Sequence, residues 1–257
     1  MRRRLSGPVD EAKALDGLHR LAVNYDPADA PPGGHPEGWH TDTETTVVGQ
    51  EPPGAPVPGG AWETACLLVR RYEFAEPRIL RAVYRDGGDL DGRDMLLEGR
   101  FFGLRFHLGV RITGVLDETR ESGGHPERRW GWSYQTLEGH LEEGRLSYEV
   151  TKDLATGQVS FTISGYSRRA PIPNTVVRWG FRVFGRWTQR RFYAAARRRL
   201  HRLVDAAQSG EELPAPVVRA DGLISAPSGV SPHPLEHLAA RWLHPGANRR
   251  TLRTPDG

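Results

Sequence analysis

Residues 102–113 read F-G-L-R-F-H-L-G-V-R-I-T. Phe102, Leu104, Phe106, Leu108, Val110 and Ile112 alternate with Gly103, Arg105, His107, Gly109, Arg111 and Thr113. Successive side chains of a strand point to opposite faces, so this segment has one apolar face for a core and one polar face. Similar strand patterns occur on both sides of it. Thr43 to Gly49 and Ile79 to Tyr84 precede it, and it lies within a longer run, Met95 to Asp117, with bends expected at Gly99, Gly103 and Gly109. Trp130 to Leu137, Arg145 to Lys152 and Val159 to Ser167 follow. The connections D-G-G-D-L-D-G-R-D and D-L-A-T-G-Q are short and rich in turn formers, which implies antiparallel neighbours.

Two helices flank the strands. From Ala61 to Tyr72, the residues Trp62, Ala65, Cys66, Leu68 and Val69 recur at helical spacing, and Pro77 stops the helix soon after. Asn174 is placed to cap a long helix reaching Ala207. Val177, Phe181, Phe184 and Phe192 make one apolar stripe on it and Trp179, Val183 and Trp187 another, the pattern of a helix held between two surfaces. The order predicts an α+β fold in which a curved antiparallel sheet wraps around the long C-terminal helix, leaving a cavity between them. We expect an N-terminal extension over 1–40, with a helical pattern from Glu11 to Val23, and the main domain over 41–207. A Pro/Gly-rich tail over 208–257 carries Leu235, Leu238, Ala239, Trp242 and Leu243 at the spacing of a short amphipathic helix.

Composition narrows the classes. Hydrophobic residues make up 37% of the 257, enough for a core, and the 30 Gly and 20 Pro cluster towards the ends. Lys13 and Lys152 are the only lysines, and the arginine bias is read as GC-rich coding, in a bacterial source. The net charge is only +3. A lone cysteine, Cys66, excludes an internal disulfide framework and any multi-cysteine metal site, and fits a reducing cytoplasm. The start M-R-R-R-L-S-G-P-V-D lacks the apolar stretch of a secretory signal, and no apolar run is long enough to span a bilayer.

The chemistry concentrates in Trp130–Gly144, W-G-W-S-Y-Q-T-L-E-G-H-L-E-E-G. His140 and Glu142 are two apart and share a face if extended. A carboxylate beside the imidazole would raise its pKa, as a general acid/base needs, and Tyr134 or Thr136 would donate to a substrate oxygen. Alternatively, the stretch is a solvated turn. Trp130, Trp132 and Tyr134 share one face of a strand and, with Tyr148, would pack against an apolar ligand or serve as sheet core. Arg100, His107 and Arg111 would hold an acidic head group, or be solvated on the outer face. No metal site is expected: the ten histidines are scattered, and His233 and His237 find no third ligand.

At Y-Q-T-L-E-G-H-L-E-E-G and V-S-F-T-I-S-G-Y-S-R the chain resembles the uncharacterised domain-of-unknown-function family 1990, also called uncharacterised protein family 0548. Tyr134, Thr136, Leu137, Gly139, His140, Glu142, Gly144, Tyr166, Ser167 and Arg168 stand at matching positions, as do N-Y-D-P at Tyr25 and G-W-H at Trp39. Gln135, Glu138, Leu141, Arg145 and Leu146 depart from the pattern and mark a divergent subgroup. The resemblance implies a START-like, SRPBCC helix-grip fold and no established activity.

These readings converge on a protein that binds a hydrophobic or amphipathic small molecule between sheet and terminal helix. Cofactor-independent chemistry of the cyclase, dehydratase or isomerase type is open beside simple binding. The rival is an interaction module. Arg178, Arg182, Arg186, Arg190, Arg191, Arg197, Arg198, Arg199 and Arg202, interleaved with Trp179, Trp187 and Tyr193, would then bind nucleic acid, an anionic membrane or a protein partner.

Overall fold

The computed structural model describes residues 9–31, 37–86, 88–101, 104–171, 175–229 and 241–243. Three α-helices occur among them: α1 (Glu11–Asp16), α2 (Ala61–Arg70) and α3 (Thr175–Gln208). The strands are β1 (His40–Gln50), β2 (Leu80–Arg85), β3 (Asp94–Phe101), β4 (Leu104–Ser122), β5 (His125–Thr136), β6 (Glu142–Asp153), β7 (Gln158–Arg169), β8 (Val217–Val218), β9 (Leu223–Ala226) and β10 (Arg241–Leu243). They form one sheet in the order β1-β7-β6-β5-β4-β3-β2-β9-β8, with antiparallel neighbours throughout, while β10 pairs parallel with the start of β4.

The concave face of this sheet packs on α2 and α3. Val110, Ile112, Tyr148, Val150, Phe161 and Ile163 from the strands join Leu68 and Val69 of α2 and Ala196, Leu200 and Val204 of α3 in one core. Fully burying a side chain of this size contributes about 1.5–3 kcal/mol, so the interface of sheet and helices dominates the fold's stability. Two bulges, at Val47/Gly49 in β1 and Ile112/Gly114 in β4, bend the strands and add to the curvature. At Gly49 a Cβ would come within 2.6 Å of the Ala61 Cβ, so glycine allows α2 to start directly against β1.

The N-terminal segment covers part of the convex face. Leu15 and Leu18 pack with Val83, Leu96, Leu137 and Leu223, and a Cβ at Gly109 would strike Leu18 at 2.6 Å. The helical pattern expected from Glu11 to Val23 ends early. A turn at Gly17 and a short 3₁₀ segment, Leu18–Arg20, follow α1, and Val23 bridges to Leu137.

Other expectations change as well. Met95 to Asp117 is two antiparallel strands, β3 and β4, and neither Gly99 nor Gly109 interrupts its strand. After α3 the chain rejoins the sheet, with β9 pairing β2 and β8 pairing β9. In the segment expected as an amphipathic helix, Arg241–Leu243 is a strand beside β4, and Leu235, Leu238 and Ala239 lie outside the described residues. Asn174 also lies outside them. On α3 Phe192 is buried while Trp187 is 53% exposed, so at Trp187 the helix has only one covered side. The side chains of Val177, Trp179, Phe181, Val183 and Phe184 lie outside the described residues. No described helix is long and apolar enough to cross a membrane.

Candidate functional site

Strand β5 turns Trp130, Trp132 and Tyr134 inward, and β6 places Tyr148 directly across from Trp132. The Trp132 and Tyr148 rings meet edge to face at 4.9 Å, and Tyr134 stands 6.1 Å from Tyr148. Residues just beyond α2 complete this aromatic cluster. Tyr72 lies 6.1 Å from Trp132 and 6.3 Å from Tyr148, and Phe74 lies 4.6 Å from Tyr148. Trp132 donates its Nε1–H to the Val69 carbonyl at 3.3 Å, which fixes the indole against α2.

Tyr72 ends its helix in an unusual way. The Glu73 N–H bonds the Leu68 carbonyl at 2.9 Å and the Tyr72 N–H bonds that of Val69 at 3.2 Å, a pattern that usually has glycine in the left-handed position. Tyr72 occupies it with φ 62°, at a cost of about 1–3 kcal/mol for a non-glycine residue. The gain is an aromatic side chain directed into the core.

The phenols are the polar part of this interior. Tyr72 and Tyr148 are 1% and 0% exposed, and their hydroxyls face neighbouring phenols without either making a hydrogen bond of good geometry among the described residues. Burial raises both pKa values, and that of Tyr134 too, with Tyr72 and the Glu142 carboxylate adding to the effect at Tyr134. All three therefore stay protonated and able to donate. Tyr193 of α3 accepts a hydrogen bond from Gln189 at 2.9 Å. Its pKa is raised by burial first, then by Tyr134 and the carboxylates of Asp42 and Glu142. Those two carboxylates thus act on the same end of the interior.

His140 differs from expectation. Its Nδ1 lies 2.9 Å from the Glu142 N–H and 3.0 Å from the Glu142 carbonyl, so either neutral tautomer is held by backbone. Burial lowers its pKa to about 4, where a carboxylate was expected to raise it. Thr136 is also committed: its hydroxyl donates to Asn24 Oδ1 at 2.6 Å and accepts from the Gly144 N–H at 2.9 Å. Asn24 in turn donates to the Glu142 carbonyl at 2.9 Å, so the N-terminal segment ties the β5–β6 connection in place.

The remaining motif residues gather on the convex face. Tyr25, Trp39 and Tyr166 pack edge to face, and Gln135 donates to the Tyr25 hydroxyl at 2.8 Å. Arg168 lies 4.5 Å over the Trp39 ring and pairs with Glu143 at 2.6 Å.

Arg100, His107 and Arg111 do not join the aromatic interior. His107 and Arg111 alternate with inward Val110 and Ile112 and so face the convex side. Arg111 pairs with Asp94 at 2.7 Å and bonds the Leu18 carbonyl at 2.9 Å. Arg100 pairs with Glu98 at 2.7 Å, and His107 lies 3.4 Å from Glu11 and 3.7 Å from Glu98. Burial alone would raise the Glu11 pKa, but His107 and Arg219 bring it down to about 2.

Glu11, Glu98 and His107 bring three potential ligand atoms within 4.8 Å of one another. Glu11 is already paired with Arg219, and Glu98 with Arg100 and Arg105, so a divalent ion there would face three guanidinium groups. The cluster reads as an ion-pair network that fastens α1 to the sheet. Sequence reasoning missed Tyr72, Phe74 and Tyr193. The apolar stripe of α2, continued past Arg71, was the available signal for Tyr72.

A curved antiparallel sheet closed by a long C-terminal helix over an aromatic interior defines a helix-grip protein of the α+β class. Within that class, residues 24–199 match the domain of unknown function DUF1990, and the chain belongs to that family. No curated protein sequence matches it. Among solved structures it is similar to Ara h 8.0201, at 14% identity and TM-score 0.37, over 66% of this chain and 99% of that one. A point mutant of norcoclaurine synthase from Thalictrum flavum, in complex with a transition-state analogue, is 10% identical with TM-score 0.39, over 66% and 96% of the chains. The major latex-like protein 151 of Panax ginseng is 12% identical with TM-score 0.37, over 64% and 97%.

Proposed function

We propose that the protein binds a hydrophobic or amphipathic small molecule between the sheet and α3. Trp130, Trp132, Tyr134 and Tyr148 form its wall, and the Tyr72 and Tyr148 hydroxyls bond an oxygen of the ligand. The carrying observation is that pair of buried hydroxyls, without partners of good geometry among the described residues, in an aromatic interior. A buried hydroxyl left unsatisfied costs about 1–3 kcal/mol, which a ligand oxygen would recover. Arg100, His107 and Arg111 are left to the convex ion pairs, and the reading invokes no cofactor or metal. The single cysteine, Cys66, allows no disulfide within the chain and fits a cytoplasmic setting.

Native mass spectrometry of the purified protein, followed by extraction, should reveal a co-purifying apolar ligand. Tyr148→Phe and Tyr72→Phe should each weaken its binding roughly ten-fold while leaving the melting temperature unchanged or raised. Unchanged affinity in both variants would remove the hydroxyls from the site.

A second reading adds proton transfer of the cyclase, dehydratase or isomerase type. It is favoured by the Glu142 carboxylate acting on Tyr134 and Tyr193 at one end of the interior. In it Glu142 takes a proton, Tyr134 donates to the substrate oxygen, and His140 and Thr136 position the β5–β6 connection. Glu142→Gln should then stop turnover of the extracted ligand while leaving binding nearly intact.

A further inference from the structure

The arginines of α3 divide by face. Arg197 pairs with Glu44 at 2.8 Å and Arg199 with Glu73 at 3.5 Å, both on the side turned to the body of the protein. Arg190, Arg191, Arg198 and Arg202 are exposed and form no ion pair among the described residues. They share their edge with Trp187, which is 53% exposed and carries the Arg191 guanidinium 5.3 Å from its ring centre. His201 and Asp205, 3.5 Å apart, are on the same edge, and Asp205 is the only acidic residue of the helix, against nine arginines. Among the described residues, charge on this edge is thus left without a partner and an aromatic ring is left in solvent.

We propose that the outer edge of α3 docks on an anionic phospholipid surface, with Trp187 at the lipid interface and Arg190, Arg191, Arg198 and Arg202 among the head groups. Charge complementarity selects an anionic partner. The choice of bilayer over nucleic acid rests on the apolar component. Tryptophan favours the boundary between head groups and acyl chains. An edge that sets an exposed indole beside four arginines fits an interface that is apolar below and anionic above. The phosphate backbone of a duplex would use the arginines and leave the indole in solvent.

The test is flotation of the full chain with phosphatidylcholine vesicles, with and without roughly one-third phosphatidylglycerol. The protein should float only with the anionic vesicles and be released by high salt. Each arginine near the surface contributes a factor of roughly five, so R191Q/R198Q/R202Q should lower partitioning about a hundred-fold. The corresponding lysine variant should keep most of the binding, and Trp187→Ala should weaken it without changing the melting temperature. The proposal is overturned if the wild type ignores anionic vesicles or if the glutamine variant floats as well as the wild type. It is equally overturned if labelled duplex DNA or single-stranded RNA binds the same edge more tightly than the vesicles do.

Discussion

His140 shows how burial reverses a role suggested by neighbours in sequence. Two residues from a glutamate, it nevertheless sits 7% exposed against the Glu142 backbone, and the cost of desolvating an imidazolium lowers its pKa from 6.5 to about 4. The unfolded chain therefore binds the proton more readily than the folded one between those values. Stability is full above pH 6.5 and declines as pH falls towards 4, by about 3 kcal/mol in all at 1.36 kcal/mol per pH unit. Thermal melts of wild type and His140→Gln across this range should show the variant losing much less stability on acidification. Parallel pH profiles would mean that His140 is charged or solvated. Tyr72 makes the same point about context: nothing in R-R-Y-E-F announces a left-handed tyrosine, because only the packing of Tyr72 against Trp132 and Tyr148 offsets its strain.

Helix α2 is anchored by a buried charge. Glu51, at the end of β1, accepts from the Trp62 N–H at 2.8 Å and the Val57 N–H at 3.1 Å, so a carboxylate caps the start of the helix. Lys152 of β6, fully buried, donates to the same carboxylate at 2.6 Å and to the Ala55 carbonyl at 2.9 Å. These bonds outweigh the burial that would otherwise raise the Glu51 pKa, and its net shift is downward. Glu51→Gln keeps the cap but strands a buried ammonium, and should cost about 4 kcal/mol in urea unfolding. Adding Lys152→Met should recover part of that loss. If the single variant is as stable as the wild type, the ion pair contributes nothing to the anchor. One of only two lysines in the chain is thus structural, a role that the arginine bias of the sequence concealed.

The molecule as a whole depends on its C-terminal return. Leu223 and Ala226 of β9 are fully buried, and Ser228 donates from its N–H and hydroxyl to Glu73 at 3.0 and 2.9 Å. Glu73 is itself buried beside Arg199, so removal of residues after Gln208 would uncover β2 and deprive a buried carboxylate of donors. We expect that truncation to lower stability by about 4 kcal/mol and the melting temperature by roughly 10 °C. A truncated chain that melts with the wild type would show the return to be dispensable.

How much was legible from sequence follows from the range of the forces involved. Alternation in Phe106 to Ile112, the spacing of α2 and the length of α3 are local patterns, and they led directly to the curved sheet and its terminal helix. The same period of two puts Trp130, Trp132 and Tyr134 on one face, but only the packed sheet shows that this face is inward and that His107 and Arg111 stand on the other. Partners distant in sequence were not legible. The Glu51–Lys152 pair, the Tyr72 hydroxyl beside Tyr148, the Asn24 clamp on Thr136 and the pairing of β9 with β2 each join segments that local pattern cannot relate. Desolvation, which lowers the His140 pKa and raises those of the phenols, is a property of the packed interior, and it exists only once the chain has folded.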